Sequence, residues 1–214
     1  MKEDDLHYLI AGLPYTLSLT ATGFALGCLL AFPIVAAMRS GPGLFSRILQ
    51  GYILIVRGTP ALVWLFIVFF SLGNGPFELE PFTAAAITFG AISGAYLAEI
   101  YRGALSGVPS GQWDAAEALG LDRYSLYKDV VGPQALRIAL PSAASYFIGL
   151  LKDTAIASTI GVVELTFRAY HVSQMTFNGL RVYAVVALIY ICISLPIAFY
   201  SRFADAKLRR RISH

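Results

Sequence analysis

The chain has 214 residues, of which 57% are hydrophobic and 14% are charged. Soluble globular domains average roughly 45–50% apolar and about 25% charged residues, so this composition excludes a free soluble domain. The net charge is only +3, and no nucleic-acid partner is expected. Five spanning helices of ~20 residues would occupy about 100 residues and leave only short loops. We therefore predict a single transmembrane domain over residues 1–214.

The apolar residues form five segments, each long enough to cross a bilayer as a helix. The segments cover residues 15–38, 53–72, 82–100, 138–163 and 182–203. The acidic start of the chain lacks the basic region of a cleaved signal peptide, so the first segment is predicted to be retained. The predicted fold class is an all-α integral membrane protein with five transmembrane helices.

The positions of lysine and arginine predict the orientation, because these residues concentrate in cytoplasmic loops. Most of the 16 basic residues lie after the first segment, after the third segment or in the C-terminal tail. The residues in these regions are Arg39, Arg47, Arg57, Arg102, Arg123, Lys128, Arg137, Arg202, Lys207, Arg209, Arg210 and Arg211. This distribution places the N-terminus outside the cell and the C-terminus inside it.

Small residues recur at four-residue spacing along one face of two segments. They are Gly23, Gly27 and Ala31 in the first segment, and Gly90, Gly94 and Ala98 in the third. Such a pattern lets helices approach closely in a membrane. We interpret both stripes as packing surfaces and assign no chemistry to them.

The inner loop at about 102–137 is the only sizeable polar stretch, and its pattern is helical. One short helix is predicted over 112–119, with Gly120 ending it in a left-handed conformation. Asp122 can then cap a second helix that runs through Val131 and is predicted to stop at the Gly-Pro pair that follows.

The second inner helix mixes apolar and charged residues, which favours docking on a cytosolic partner. The alternative is a helix that lies in the lipid headgroups. Acids in this loop, such as Asp114 and Glu117, disfavour an anionic lipid surface.

Two stretches of the inner loop match a known pattern. Residues 114–120 read Asp-Ala-Ala-Glu-Ala-Leu-Gly, and nine residues later 130–133 read Val-Val-Gly-Pro. This resembles the cytoplasmic loop of ATP-binding-cassette (ABC) importer membrane subunits, whose pattern is Glu-Ala-Ala, three residues, Gly, nine residues, Ile-x-Leu-Pro. Asp114 occupies the position of the family's Glu, Val130 that of Ile, and Gly132 that of Leu.

The resemblance implies that this loop forms coupling helices seated in a cleft of the ATPase subunit. The residues assigned to ATPase coupling are Asp114, Ala115, Ala116, Glu117, Gly120 and Pro133. Further strings at 57–60, 98–104, 133–137 and 151–154 are similar to importers of polar amino acids. Together these stretches extend the resemblance over nearly the whole chain.

The family resemblance also implies the fold, the partners and the location. It implies a type I ABC importer permease fold, two ATPase subunits, a second permease (identical or homologous) and a periplasmic solute-binding protein. The implied location is the bacterial inner membrane, as a multi-pass protein. None of the four lysines follows a glycine, so the chain lacks a phosphate-binding loop. ATP and Mg are expected on the partner ATPase, and no catalytic residue, cofactor or metal is assigned here.

Ionisable residues within or beside the apolar segments are functional candidates. For the translocation path or a gate these are Arg57, Glu99, Lys152, Asp153 and Glu164. Lys152 and Asp153 are adjacent, so they cannot pair well on a helix and suit either a gate or static ion pairs. Glu164 is predicted to contact a cationic or zwitterionic solute, or else to be an interfacial carboxylate in water. Arg57 and Glu99 are expected to bind loop backbone or each other.

Two other functions were weighed against a permease subunit. An ion-coupled carrier or channel would be favoured by inverted repeats, which five segments and one helical loop do not provide. An intramembrane enzyme needs a catalytic set at depth, yet no histidine lies within the segments. The solute stays open among polar amino acids, opines and ectoine-like zwitterions, as does the choice between an identical and a homologous partner permease.

Overall fold

A computed structural model describes residues 3–41, 43–73 and 79–210, with backbone alone at 72, 73, 202 and 204–210. Every regular element in these residues is helical. The α-helices are α1 (Glu3–Ile10), α2 (Leu13–Arg39), α3 (Leu44–Gly58), α4 (Ala61–Gly73), α5 (Pro81–Ser106), α6 (Ser110–Ala118), α7 (Arg123–Ser125), α8 (Gly132–Asp153), α9 (Leu165–Thr176) and α10 (Gly179–Arg210). A π-helical segment, Leu126–Val131, precedes α8, and a 3₁₀ segment, Thr154–Ile160, follows it.

Three helical stretches in the described residues are long and apolar enough to cross a membrane. They are Glu3–Arg39, Pro81–Ser106 and Gly179–Ser201. These correspond to the first, third and fifth predicted segments, and α5 extends six residues beyond its predicted end. Two bent helix pairs would bring the number of spans to five if each pair crosses once.

The second predicted segment is not one helix, so that prediction was wrong. Residues 53–72 include the end of α3 and most of α4, which meet at a bend of 107°. The break lies at Thr59 and Pro60. Thr59 has an extended backbone (φ −110°, ψ 136°), as residues before proline prefer. Pro60 has no N–H to continue the helical ladder, so α4 starts anew with Val63 N–H bonded to the Pro60 carbonyl at 3.0 Å.

The predicted stop at Gly132-Pro133 was also wrong, because the chain remains helical through both residues. Gly132 has helical angles (φ −60°, ψ −50°) and donates its N–H to the Tyr127 carbonyl, a π-type bond. Pro133 then falls in the first turn of α8, where a missing N–H removes no bond within the new helix. The second inner helix and the fourth predicted segment therefore form one continuous helical stretch.

The contact between α2 and α5 is the most extensive helix pairing in the described structure, and the two glycine stripes meet there. A Cβ at Gly27 would lie 2.8 Å from the Ser93 backbone, and one at Gly90 would lie 2.9 Å from Leu26 Cβ. Only glycine fits at this separation. The packing interpretation of both stripes is confirmed.

Replacing Gly27 with alanine should destabilise the protein by about 1–3 kcal/mol, because the added methyl overpacks the α2–α5 contact. The matched control is Gly51→Ala on α3, where a Cβ would meet open space. Thermal unfolding of the purified complex in detergent measures both changes. Equal unfolding temperatures for the two variants would contradict the close-packing account.

Candidate functional site

The inner loop begins with α6, which ends in a left-handed turn. Gly120 has φ +68° and donates its N–H to the Glu117 carbonyl at 2.9 Å. Leu121 N–H bonds back to the Ala116 carbonyl at 3.1 Å. These two bonds define a Schellman motif, in which a side chain larger than hydrogen is strained at the left-handed position. The predicted short helix and its Gly120 turn are confirmed.

Asp122 caps the next helix, as the sequence predicts. Its carboxylate accepts a hydrogen bond from Ser125 N–H at 3.2 Å, and its own backbone is extended. Hydrogen bonds from Ser125 lower the pKa of the Asp122 carboxyl group. The cap fixes the direction in which the chain leaves the Gly120 turn and enters the π-helical segment.

The inner face of α6 contacts α2, the π-helical segment and α8. Ala116 is buried, and the Trp113 ring packs edge-on against Tyr127 at 5.7 Å between centroids. The Arg39 guanidinium, from the end of α2, lies 5.0 Å from the Trp113 ring centre. Gln134 of α8 donates to the Gln112 side chain at 3.0 Å. The short helix is therefore tied to α2 and to the start of α8.

A small apolar core lies beneath this helix and joins it to α5 as well. Its buried members come from the end of α5, the connection between α5 and α6, the end of the π-helical segment and α8. They are Ala104, Val108, Val131, Ala135 and Ala139, with Trp113 of α6 packed against them. Any displacement of α6 must therefore move α5 and α8 or expose this core to water.

The outer face of α6 and the turn after it are exposed. Asp114, Ala115 and Glu117 are all accessible, and Leu119 is 77% exposed. Tyr124, just after the cap, is 69% exposed. A rigid surface that combines accessible apolar side chains with carboxylates suits a protein partner better than an anionic lipid surface.

Gly132 is required by the π-helical turn. A Cβ at this position would collide with the Tyr127 carbonyl oxygen, which accepts the Gly132 N–H. This explains why glycine stands where the resembled pattern has leucine. The sequence carries no signal for a π turn, so the need for glycine at position 132 is visible only in the backbone structure.

Two of the predicted path residues, Arg57 and Glu99, line one polar cavity of about 700 Å³ between α2, α3 and α5. Of the two alternatives for this pair, loop backbone or each other, a direct ion pair is not formed in the described residues. Glu99 forms an ion pair with Arg102 one turn later, with Nε to Oε2 at 3.0 Å. The Arg57 guanidinium lies 5.1 Å from the ring centre of Tyr96.

An aromatic column continues from this cavity into the bundle, and the sequence analysis did not single it out. Tyr96 stacks on Tyr146 of α8 with 5.0 Å between centroids, and Tyr146 stacks on Phe24 of α2 at 6.5 Å. The Tyr146 hydroxyl hydrogen-bonds the Ser93 hydroxyl at 2.8 Å. Tyr96 lies three residues before Glu99, so helical spacing could have placed it on the same face.

Lys152 and Asp153 are the last two residues of α8. Both side chains are exposed, and neither forms an ion pair within the described part of the chain. The α-helix ends immediately after them and tightens into the 3₁₀ segment, whose Thr154 is buried. Neither residue lines the cavity that holds Arg57 and Glu99.

Glu164 occupies a place that neither sequence-based interpretation anticipated. Its side chain is fully buried and caps α9 by accepting the Phe167 N–H at 2.7 Å. The hydroxyls of Thr16 and Tyr190 each lie 3.4 Å from the second carboxylate oxygen. An interfacial carboxylate in water is excluded by this burial, and solute contact would require the cluster to open. Glu164 instead joins α2, α9 and α10.

Over residues 9–214 the chain matches the family described as the binding-protein-dependent transport system inner membrane component. The chain belongs to this family. It is a permease subunit of an ABC importer, which is a transport protein rather than an enzyme, and it has the type I permease fold.

Curated relatives align with the permease along nearly their whole length. The L-cystine transport system permease protein TcyB of Bacillus subtilis (strain 168) is 34% identical, covering 96% of this chain and 88% of the relative. The glutamine transport system permease protein GlnP of Escherichia coli (strain K12) is 33% identical, covering 94% of this chain and 93% of the relative.

A solved structure supports the same assignment. The crystal structure of an amino acid ABC transporter with histidines contains a chain that superposes with a TM-score of 0.88. That chain is 31% identical, and the alignment covers 94% of each chain.

Replacing Gly132 with alanine should lower the stability of the permease by about 1–3 kcal/mol, since the new methyl collides with the Tyr127 carbonyl. Gly149→Ala is the control on the same helix, because a Cβ there meets open space. Thermal unfolding distinguishes the two variants. A Gly132→Ala variant as stable as Gly149→Ala would mean that the π turn relaxes to an α turn without cost.

Proposed function

We propose that this permease forms half of the translocation path for a polar amino acid or a related zwitterion. The observation that carries the proposal is the shared core of α6, α5 and α8, because it connects an exposed docking surface to membrane helices. The substrate class is supported by relatives whose names specify cystine and glutamine transport. Residues 1–214 act as one transmembrane permease domain.

In the proposed arrangement the chain crosses the bacterial inner membrane five times, with its N-terminus outside and its C-terminus inside. Three helical stretches and two bent pairs supply the spans. The concentration of basic residues after the first and third segments supports the cytosolic placement of the α6 loop.

The α6 loop acts as the coupling element to a separate ATPase. The exposed Asp114, Ala115 and Glu117 contact the ATPase, while the buried Ala116 transmits its displacement to the core beneath. Gly120 sets the angle of the turn, and Pro133 begins the helix that receives the motion. ATP and Mg bind to the partner, whose closed and open states favour different arrangements of the permease pair.

Solute passes between this permease and a second one, identical or homologous, after delivery by a periplasmic binding protein. The cavity that holds Arg57 and Glu99 lies at the end of α5 nearest the coupling loop, which suits an inner gate. Lys152 and Asp153, at the C-terminal end of α8, suit an outer gate. The buried Glu164 cluster holds α9 and α10 in place beside α2.

Replacing Gly120 with valine tests the coupling role. The positive φ at this position strains any β-branched residue by about 1–2 kcal/mol, so the turn reorients. We expect ATP-driven uptake of labelled glutamine and cystine to fall at least about tenfold in proteoliposomes containing the whole transporter, while membrane insertion is retained.

Gly43→Val is the matched control, because Gly43 lies outside the α6 loop, has an extended backbone (φ −103°) and faces open space. This variant should transport normally. Normal uptake by the Gly120→Val transporter would refute the proposed coupling role.

A further inference from the structure

A second cavity, of about 560 Å³, opens on the side of the bundle where the coupling loop is attached. The end of α2, the end of α5 and the start of α8 form its walls. The larger apolar side chains among its lining residues are Phe32, Val35, Tyr101, Leu105 and Leu136. Phe32 is 65% exposed and Leu136 is 59% exposed, so the crevice is open along its length.

Charge in this crevice is confined to two arginines. Arg39, at the end of α2, and Arg123, at the start of α7, both line it, and no carboxylate is among its described lining residues. Both guanidinium groups are exposed, and neither forms an ion pair within the described ranges. The crevice therefore combines apolar walls with an unneutralised cationic rim.

The crevice has apolar side chains along its walls and two arginines at its rim, an arrangement that fits an amphiphile with an anionic headgroup. Phe32 and Arg39 are seven residues apart on α2, which places them on the same face and about 10 Å apart along the helix axis. This length accommodates the upper part of an acyl chain below a phosphate group. Basic pockets between membrane helices are suited to anionic headgroups.

We propose that this crevice binds an anionic phospholipid, with its phosphate between Arg39 and Arg123 and an acyl chain along Phe32 and Leu136. A docked ATPase is a poorer occupant, because the exposed docking surface lies on the opposite face of α6, at Asp114, Ala115 and Glu117. A second permease helix is the other candidate occupant, and the cross-linking test below distinguishes it from a lipid.

The bound headgroup has a mechanical consequence for coupling. Arg39 also lies over Trp113 of α6, and Arg123 is the first residue after the Asp122 cap. A phosphate that contacts both arginines joins the end of α2 to both parts of the coupling loop. An anionic lipid therefore stabilises the seating of α6, and transport depends on the lipid composition of the bilayer.

The test uses the whole transporter reconstituted in nanodiscs of phosphatidylcholine with or without phosphatidylglycerol. Native mass spectrometry measures how much phosphatidylglycerol the permease retains. Each of Arg39→Gln and Arg123→Gln should lower the affinity of the permease for phosphatidylglycerol about fivefold, and the double variant should lose both contributions. Arg47→Gln is the matched control, because Arg47 is an exposed arginine near the same end that lines no part of the crevice.

A steric variant separates lipid binding from a general loss of charge. Ala36→Trp fills the crevice without changing its charge, whereas Ala25→Trp changes an exposed residue of the same helix outside it. We expect only the first to lose bound phosphatidylglycerol and to lose the stimulation of uptake by that lipid.

Several results would overturn the proposal. The first is a loss of phosphatidylglycerol in Arg47→Gln as large as in the crevice variants. The second is retention of phosphatidylcholine by the unaltered transporter as strong as that of phosphatidylglycerol. The third is retention of phosphatidylglycerol in Ala36→Trp. Displacement of the lipid by inorganic phosphate would identify a free anion as the occupant. Cross-linking from Leu136→Cys to the second permease or to the ATPase would identify a protein occupant.

Discussion

The apolar contact beneath α6 is the interaction on which the proposed coupling mechanism depends. A nine-residue helix is too short to be stable alone in water, so α6 depends on the packing of Trp113 against the small core between the end of α5, the π-helical segment and the start of α8. The Schellman turn at Gly120 then fixes the angle between α6 and the next helix. Because protein interiors are close-packed, a displacement of α6 is passed on as movement of whole helices rather than absorbed locally.

The parts of this structure that follow from local sequence were predictable. The extent of α2, the two small-residue packing stripes, the Gly120 turn and the Asp122 cap all depend on residues that are near in sequence or repeat with helical period. The motifs at 114–120 and 130–133 also indicated the family, because their residues and spacing resemble the cytoplasmic loop of ABC importer permeases. For α6, its Gly120 turn and the Asp122 cap, the sequence supplied both the residues and their immediate conformation.

The remaining features depend on tertiary contacts that no periodic pattern encodes. The 107° bend at Pro60 divides a stretch that is mostly apolar although it includes Arg57, so hydropathy alone indicated one span. The π turn before Gly132 allows the chain to pass through a Gly-Pro pair that usually ends a helix. Glu164 is buried because Thr16 and Tyr190, distant in sequence, meet its carboxylate. Burial of a carboxylate is tolerated only where such partners are present.

The most direct test of the account is a cysteine cross-link from the outer face of α6. In a background where Cys28 and Cys192 are replaced by serine, Ala115→Cys should cross-link to the ATPase subunit and resist membrane-impermeant thiol reagents added outside intact cells. Ala25→Cys, exposed on α2, should give no cross-link to the ATPase. Labelling of Ala115→Cys from outside the cell, or capture of no ATPase by it, would contradict the claim that α6 links the nucleotide-driven partner to the membrane helices.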